Sequence, residues 1–497
     1  MPALPRSSDL RSDHPSRALT AVCAAIACAL LATCVWLARQ EYFFGDDFIY
    51  LRQAQGPRDW LHVFLPLGKR GWWSYRPLSI EVFFSLLYRL VGLASTPYLL
   101  ASIALHFATG LLAYRIARQL ALDRRVALAV SVLSLGMYPT LNGELFWASV
   151  FQTISGTFFY VLAITLFADF LSGRGRVYRV GAALAMVVAL GCNELAMTLP
   201  GPLVLLAAHF GRGTLVERMR SSLASCAPLI AILLIYVPFR YVVIGPSVFP
   251  TPALNVPHLG WHIPYNVVVL LQMLMKGSLA LQVVALAVVV AGWAAAARAG
   301  DGQAALLARR VVLLAGWLGC TMVPYLGAYF VPPRAAIVME TPFCLLLAAH
   351  LDPLVRAATT VPARRFAEAG LVALIVVAFP YAVVREQARA PRGDVNRQLL
   401  ELVAQEAPQL PPGGCVRIQT LPGDTWTATD IFALGFRTSG VLAVARPGLR
   451  LELPVETGQP QSWRTDCAGR LDLELLHGLP AERPSFRLRV APRPPAA

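Results

Sequence analysis

The chain has few charged residues, and acidic ones are the scarcest. Charged residues make up 14% of the 497 positions, with 28 Asp and Glu against 43 Lys and Arg, whereas hydrophobic residues make up 57%. A soluble protein of this length could not bury so much apolar surface. Apolar runs of about 18 residues or more recur along the chain, which predicts a polytopic membrane protein.

The sequence also lacks a glycine-rich phosphate loop, so a nucleotide is not its expected ligand. Its net charge of +15 comes almost wholly from arginines in short connections between apolar runs, which is typical of cytoplasmic loops and requires no nucleic-acid partner. Five clusters mark the predicted cytoplasmic connections: Arg115/Arg118/Arg124/Arg125, Arg174/Arg176/Arg179, Arg212/Arg218/Arg220, Arg309/Arg310 and Arg356/Arg364/Arg365.

These clusters set the predicted topology. Residues 1–17 form a cytoplasmic tail, 18–384 a transmembrane domain of about eleven helices, and 385–497 a periplasmic domain. Residues 179–211 hold either one long helix or two short helices that turn near Asn193. Because basic clusters flank this stretch on both sides, two helices are favoured; a single helix would invert everything downstream.

Two predicted regions outside the membrane are large. The first external loop, 39–96, contains a short apolar segment, 78–91, which predicts a helix at the outer interface. The tail is less apolar and predicts a small α+β domain, with a helix at 395–404 and strands at 416–420, 470–475 and 485–490. Cys415 and Cys467 both lie in this tail and would pair in an oxidising compartment.

An acid pair stands just beyond the first apolar span. Residues 42–48 read YFFGDDF, so Asp46 and Asp47 are adjacent at a lipid–water boundary in a chain with few acids. Two like charges in contact raise at least one pKa, which makes the pair a candidate base or metal ligand. The alternative is an ordinary solvated helix end.

Several motifs, in order, carry a resemblance to a known family. Residues 75–79 read YRPLS, which resembles the Y-R-P-L-[ST] signature of TMTC-type O-mannosyltransferase relatives and their bacterial counterparts. These are GT-C membrane glycosyltransferases. Further matches to that family's elements follow: Tyr138 and Pro139 with Glu144 and Trp147; Asn193 and Glu194, where the family has Lys-Glu; Arg240 and Tyr241; and, more loosely, Pro332, Pro333 and Arg334.

The resemblance, which covers roughly residues 18–350, implies a GT-C-like, all-α polytopic fold and roles for its residues. Asp47, or next Asp46, would be the catalytic base, and Glu144 a second carboxylate in the same cavity. Arg76, Arg240 and Arg334 would bind the donor phosphate, for which the planar guanidinium is suited. Tyr75, Tyr138, Trp147 and Glu194 would line the substrate cavity.

These positions also have simpler interpretations. Glu144 follows Asn142 and Gly143, where an acid complements a helix dipole. The three arginines could be interfacial anchors with their stems in lipid. No cofactor is certain: the resemblance leaves room for a divalent metal ion, but no metal site is predicted. His258 and His262 have a metal-pair spacing, yet Pro257 and Gly260 argue against a helix there.

The sequence as a whole predicts a glycosyltransferase of a bacterial inner membrane. The resemblance implies inverting transfer of a sugar from a polyprenyl-phosphate donor to a glycan, lipid or protein acceptor, in contact with membrane lipids. A flippase for lipid-linked glycans is the main alternative, although it would place charges at mid-membrane depth and show repeated halves. An O-antigen ligase or polymerase, or a structural subunit, are the others.

Overall fold

The computed structural model describes residues 15–43, 45–56, 63–65, 75–137, 139–244, 259–275, 279–326, 331–378, 390–406, 410, 414–420, 450–452, 470–478 and 485–490. Within these ranges fifteen α-helices precede a four-stranded sheet. The helices are α1 (Arg17–Ala38), α2 (Asp47–Gln55), α3 (Phe83–Val91), α4 (Ser95–Gln119), α5 (Arg124–Leu135), α6 (Phe151–Leu171), α7 (Arg176–Cys192), α8 (Pro200–Phe210), α9 (Leu215–Ile244), α10 (Leu259–Met275), α11 (Leu279–Arg298), α12 (Asp301–Leu326), α13 (Ile337–Ala357), α14 (Val361–Ala378) and α15 (Ala390–Glu406).

The predicted polytopic membrane architecture is confirmed. In the described part of the chain, six helical segments are long and apolar enough to cross a membrane: Arg17–Ala38, Ser95–Gln119, Ala148–Leu171, Leu215–Val243, Asp301–Leu326 and Pro333–Ala357. Shorter apolar helices cover Glu194–Phe210, Ile263–Met275 and Gln282–Arg298. The first two spans lie where the hydropathy pattern places them, and the total of about eleven crossings stays a prediction.

The ambiguous stretch 179–211 forms two helices, as favoured. Helix α7 ends at Cys192, and Asn193 has an extended backbone, with φ −156° and ψ 133°. The Asn193 Oδ1 accepts a hydrogen bond from the Leu195 amide at 3.0 Å and so caps a short 3₁₀ segment, Glu194–Thr198. Pro200 then begins α8, because its missing N–H costs nothing in a first turn.

The apolar segment after Pro77 is helical and amphipathic. A π-helix, Pro77–Val82, continues directly into α3. Leu86 and Leu90, one turn apart, are 54% and 68% exposed, whereas Phe84 is buried. One face of α3 therefore packs on the protein while the other presents large apolar side chains, the pattern of a helix lying in a membrane interface.

The arginine clusters anchor one end of the bundle. Asp352 on α13 accepts hydrogen bonds from the Asp123 amide at 2.7 Å, from Arg310 Nη1 at 2.7 Å and from Arg356 Nε at 3.0 Å. This buried carboxylate joins α12 and α13 to the connection between α4 and α5. Such a network is costly to break, because a lost partner would leave buried charge uncompensated.

The tail is an α+β unit. Helix α15 precedes β1 (Cys415–Thr420), β2 (Arg450–Glu452), β3 (Arg470–Gly478) and β4 (Ser485–Val490), in the spatial order β2-β1-β3-β4. Strand β1 is parallel to β2 and β3, while β3 and β4 are antiparallel. Cys415 is disulfide-bonded, as its expected pairing requires, and the expected partner Cys467 lies outside the described residues.

Helix α14 differs from its prediction. A last crossing is expected near residues 369–384, with Arg364 and Arg365 in the preceding connection. The helix instead begins at Val361, so both arginines lie in its first two turns. Exposed guanidiniums are well tolerated there, because the long side chains reach water from a helix end.

Candidate active site

The acid pair occupies a tight turn at the start of α2. Gly45 has a positive φ of 58°, a conformation that glycine adopts without the steric cost of a side chain. Asp46 and Asp47 follow, and both are buried, at 9% and 1% exposed. Asp47 Oδ1 accepts a hydrogen bond from the Ser149 amide at 2.6 Å. The Asp47 carboxylate is thus fixed against the loop that precedes α6.

That second loop supplies an aromatic ring between the acid pair and an arginine. A π-helix, Thr140–Glu144, leads to Trp147. A Cβ added at Gly45 would lie 3.4 Å from Trp147 Cζ2, so the ring rests against the turn of the acid pair. The Arg334 guanidinium carbon lies 5.5 Å from the centroid of the same ring, a cation–π contact. Trp147 therefore separates and positions both.

Arg76 and Glu194 form a buried, bidentate ion pair. Arg76 Nε donates to Glu194 Oε2 at 2.6 Å and Nη2 donates to Oε1, while Nη1 donates to Gln152 Oε1. Burial opposes the charge on Arg76, but the Glu194 carboxylate outweighs it and raises the pKa of Arg76 above its ordinary value. Arg240, which is fully buried, lies with Nη1 4.0 Å from Glu194 Oε2. One carboxylate thus stands between two guanidiniums.

The YRPLS motif docks on the break between α7 and α8. Besides the Arg76–Glu194 pair, Ser79 Oγ donates to the Cys192 carbonyl at 2.7 Å. A Cβ at Gly191 would lie 2.8 Å from Leu78 Cδ1, so a larger residue there would push the motif away. Successive residues of the motif therefore contact successive residues of the turn.

Tyr50 joins the two groups of charged residues. It lies one turn after the acid pair on α2, and its phenol interacts electrostatically with Arg76, Asp46, Arg334 and Asp47. Burial raises its pKa to about 12, with the two arginines opposing the shift and the two acids adding to it. The acid pair and the arginines therefore line one space around a single buried phenol.

The structure brings most of the residues singled out in the sequence to this space. Asp46, Asp47, Arg76 and Arg334 surround Tyr50, and Arg240 and Glu194 join through Arg76. Trp147 and Glu144 lie in one loop, where the Trp147 amide donates to the Glu144 carbonyl at 3.4 Å. Tyr138 lies outside the described residues.

Two of these residues have contacts that the motif does not anticipate. Tyr75 donates its hydroxyl to the Phe64 carbonyl at 2.8 Å, and burial raises its pKa to about 12. Arg76, expected to hold a donor phosphate, uses three of the five N–H groups of a guanidinium on Glu194 and Gln152. Two N–H groups remain, so a phosphate contact and the ion pair are compatible.

Sequence reasoning missed Glu340. This buried acid in the first turn of α13 accepts hydrogen bonds from the Thr140 amide and the Thr140 hydroxyl, both at 2.8 Å to Oε1. It therefore fixes the start of the second loop to the helix that follows Arg334. An acid within an otherwise apolar span was the available signal. Gln152 and Tyr50 carried no comparable signal.

The tail reaches the acid pair directly. Asn396 Nδ2 on α15 donates to the Phe43 carbonyl at 3.1 Å, and the Arg397 guanidinium carbon lies 5.3 Å from the Tyr42 ring centroid. Leu399 and Val403 share one buried apolar cluster with Phe43, Phe48 and Leu51. The segment before Gly45 is thus held from outside by the C-terminal domain.

No set of metal ligands is assigned. The described residues contain no group of three or more His, Cys, Asp or Glu side chains arranged to hold one ion, and metal dependence stays a prediction. The expectation that Gly260 interrupts a helix near the histidine pair is wrong, because α10 begins at Leu259 and includes it. Backbone entropy makes glycine a weak helix former, but apolar packing can override that preference. His258 lies outside the described residues.

The arrangement of helices is similar to that of solved structures. The crystal structure of ArnT from Cupriavidus metallidurans in the apo state matches with a TM-score of 0.54 and 15% identity, over 87% of this chain and 86% of that one. The same protein bound to undecaprenyl phosphate matches with a TM-score of 0.51 and 14% identity, over 86% and 85%.

An oligosaccharyltransferase from Archaeoglobus fulgidus in the apo form is more distant, with a TM-score of 0.44 and 11% identity over 87% and 65% of the two chains. No family model and no curated protein sequence matches the chain. At such identities the likeness to ArnT, a GT-C glycosyltransferase, shows the fold alone, and the predicted GT-C fold is confirmed.

Proposed function

We propose that this GT-C chain is a membrane glycosyltransferase that takes a sugar from a polyprenyl-phosphate donor and passes it to a glycan, lipid or protein. The observation that carries the proposal is the convergence on Tyr50 of the acid pair, Arg76 and Arg334. Transfer from a lipid phosphate needs a base beside the acceptor and cations beside the leaving group, and this space offers both. The ArnT structure with bound undecaprenyl phosphate supports a lipid-phosphate donor.

In the proposed reaction Asp47 accepts the proton of an acceptor hydroxyl while its oxygen attacks the anomeric carbon of the sugar. The bond between that carbon and the phosphate oxygen breaks, and the polyprenyl phosphate departs with the bonding electrons. A single displacement of this kind inverts the anomeric carbon. The Ser149 amide holds the Asp47 carboxylate in one orientation, as a positioned base requires.

The charge that develops on the departing phosphate is offset by arginines. Arg334 lies across Trp147 from the turn of the acid pair, so a sugar bound beside that ring would have its phosphate on the arginine side. Arg76 and Arg240 add two positive charges against the one negative charge of Glu194. The remaining net positive charge favours an anionic group.

We place this site on the non-cytoplasmic face of a bacterial inner membrane, with the tail on the same side. The support is the arginine-rich end of the bundle, which lies at the opposite ends of α4, α9 and α12 from Ser95, Arg240 and Leu326. An alkaline phosphatase fusion at the C-terminus is expected to be active and a fluorescent-protein fusion dark. The reverse result would place the site in the cytoplasm and contradict the proposal.

The decisive experiment uses the full chain reconstituted in lipid with a panel of labelled polyprenyl-phosphate hexoses and pentoses. Release of polyprenyl phosphate, with inversion in the product, marks transfer. Asp47→Asn is expected to lower the rate by about 10²–10⁴-fold, the usual contribution of a positioned base. Its amide oxygen can still accept the Ser149 bond, so the fold should persist.

Asp46→Asn tests the adjacent acid in the same assay, and Asp301→Asn, an exposed acid at the other end of the bundle, is the matched control. Unchanged transfer in both Asp46→Asn and Asp47→Asn would remove the acid assignment. Movement of intact donor across the bilayer without its consumption would instead identify a flippase.

A further inference from the structure

A second cluster of positive charge lies far from the acid pair, at the last turn of α8. Arg218 on α9 and Arg309 on α12 both reach this turn. Arg218 precedes Arg240 by 22 residues on α9, which places it about 33 Å away along the helix. The cluster therefore belongs to the end of the bundle opposite the candidate active site.

The two guanidiniums are held side by side on successive carbonyls. Arg218 Nε donates to the Ala208 carbonyl at 2.7 Å, and Arg309 Nη2 donates to the His209 carbonyl at 2.8 Å. Both groups also interact electrostatically with His209 and with each other. A helix C-terminus offers only about half a negative charge, so it cannot balance two cations.

No carboxylate balances them either. Neither Arg218 nor Arg309 forms an ion pair with an acid of the described chain, whereas the adjacent Arg310 is paired with Asp352 at 2.7 Å. Glu217, next to Arg218 in the sequence, instead accepts from the Thr214 amide at 2.8 Å. Two neighbouring cations without a counter-charge favour binding of an anion.

Buried polar atoms in the cluster also lack partners. Arg309 Nε and His209 Nδ1 are inaccessible and form no hydrogen bond within the described residues. An Arg Nε always donates, and a histidine Nδ1 donates in one of its neutral tautomers. A buried donor without a partner costs free energy, which a bound anion that accepts these bonds would recover.

Apolar side chains adjoin the cluster on its outer side. Met219 and Leu223 on α9 are 37% and 49% exposed, and Val312, one turn beyond Arg309, is 65% exposed. In a membrane these surfaces meet acyl chains. A ligand with an anionic head and apolar tails fits both parts of this surface, and a free anion fits only one.

We propose that Arg218, Arg309 and His209 bind the phosphate group of an anionic membrane phospholipid. The net negative charge matters because a zwitterionic headgroup carries its own cation and leaves the two arginines unbalanced. Basic pockets between spanning helices at the cytoplasmic side bind anionic headgroups in the same way. This site is independent of the proposed sugar transfer.

The test measures lipid binding to the full chain in a neutral detergent by native mass spectrometry. The probes are phosphatidylglycerol, phosphatidylcholine and inorganic phosphate. Wild-type protein is expected to bind phosphatidylglycerol in preference to phosphatidylcholine. The double variant Arg218→Gln/Arg309→Gln is expected to bind it at least about tenfold more weakly, which corresponds to one lost charge-assisted hydrogen bond.

The matched control is Arg212→Gln/Arg220→Gln, which removes the same charge from exposed arginines of the same region. Its affinity should change by less than about threefold. Arg218→Lys/Arg309→Lys keeps both charges and should retain the preference. Should the glutamine pair fail to fold, His209→Phe removes Nδ1 while keeping an aromatic ring, and a weaker phosphatidylglycerol complex is expected.

Three results would overturn the proposal. The first is wild-type phosphatidylglycerol affinity in the folded glutamine pair, or in His209→Phe if that pair does not fold. The second is an equal loss in the control pair, which would indicate general surface charge. The third is equal stabilisation by inorganic phosphate and by phosphatidylglycerol, which would indicate a site for a free anion. None of these readouts depends on enzymatic activity.

Discussion

Arg76 donates to both carboxylate oxygens of Glu194, although the two residues lie 118 positions apart. The pair joins the first external loop to the break between α7 and α8. It also brings a second arginine, Arg240, within 4.0 Å of the same carboxylate. The stability of this corner of the protein therefore depends on one acid.

Glu194→Ala is expected to destabilise the protein by about 3–5 kcal/mol, because removing one member of a buried ion pair leaves the other charge uncompensated. Here two guanidiniums, those of Arg76 and Arg240, would lose their counter-charge. Thermal unfolding of the full chain in detergent measures the loss. Glu406→Ala, which removes an exposed acid from α15, is the control. A melting temperature equal to that of wild type would contradict the structural role.

Gly45→Ala is expected to lower both stability and sugar transfer. An alanine at φ 58° costs about 1–2 kcal/mol, and its Cβ would press on Trp147 at 3.4 Å and move the acid pair. Gly92→Ala is a close control, because Gly92 has φ 59° and a Cβ there would meet nothing within 4 Å. Both variants should lose similar stability, and transfer should fall in Gly45→Ala alone. Equal activity in the two would show that Trp147 does not position the acids.

Glu340 and Thr140 are expected to be energetically coupled. Thr140→Val removes the hydroxyl that the Glu340 carboxylate accepts from, at a cost of about 1–3 kcal/mol. Glu340→Gln combined with Thr140→Val should be less destabilising than the sum of the two single variants, by more than about 0.5 kcal/mol. Transfer should fall in each, since the loop carries Glu144 and Trp147.

The reference pair for this cycle is Glu340→Gln with Thr165→Val. Thr165 lies toward the arginine-rich end, where its carbonyl accepts from Gln119. Its effect should add to that of Glu340→Gln within about 0.5 kcal/mol. Additive energies in the Thr140 cycle as well would mean that the carboxylate does not hold the loop.

Asn396→Ala tests whether the tail supports the acid pair. The substitution removes a donor from the buried Phe43 carbonyl and should cost about 1–3 kcal/mol. Arg397→Ala, which removes only the contact with the Tyr42 ring, should cost about 0.5–1 kcal/mol. Initial transfer rates should follow the same order. A full rate in Asn396→Ala despite lowered stability would separate the tail from the chemistry.

The sequence predicts the helices well because hydropathy and charge act locally. The predicted span 97–117 matches Ser95–Gln119, and the strand 485–490 matches Ser485–Val490. The break at Asn193 was readable from the basic clusters on either side. These features depend on composition within one helix length, which a single sequence contains.

The site could be predicted only in part. The acid pair, Arg76 and Trp147 were recognisable from motifs, but Glu194 as the partner of Arg76 was not, because no pattern specifies a contact between distant segments. Glu340 was passed over as one acid within an apolar helix. Side-chain packing between helices decides these pairings, and packing depends on the whole fold.

The bond between Asn396 and the Phe43 carbonyl spans 353 positions of the chain. During synthesis the spanning helices from α1 to α14 are all made before α15 emerges. The turn that carries Asp46 and Asp47 therefore gains its outer support last, and a chain that ends before residue 390 would have its helices but an unsupported acid turn. Translation of the C-terminal domain is in this sense the final step in building the site.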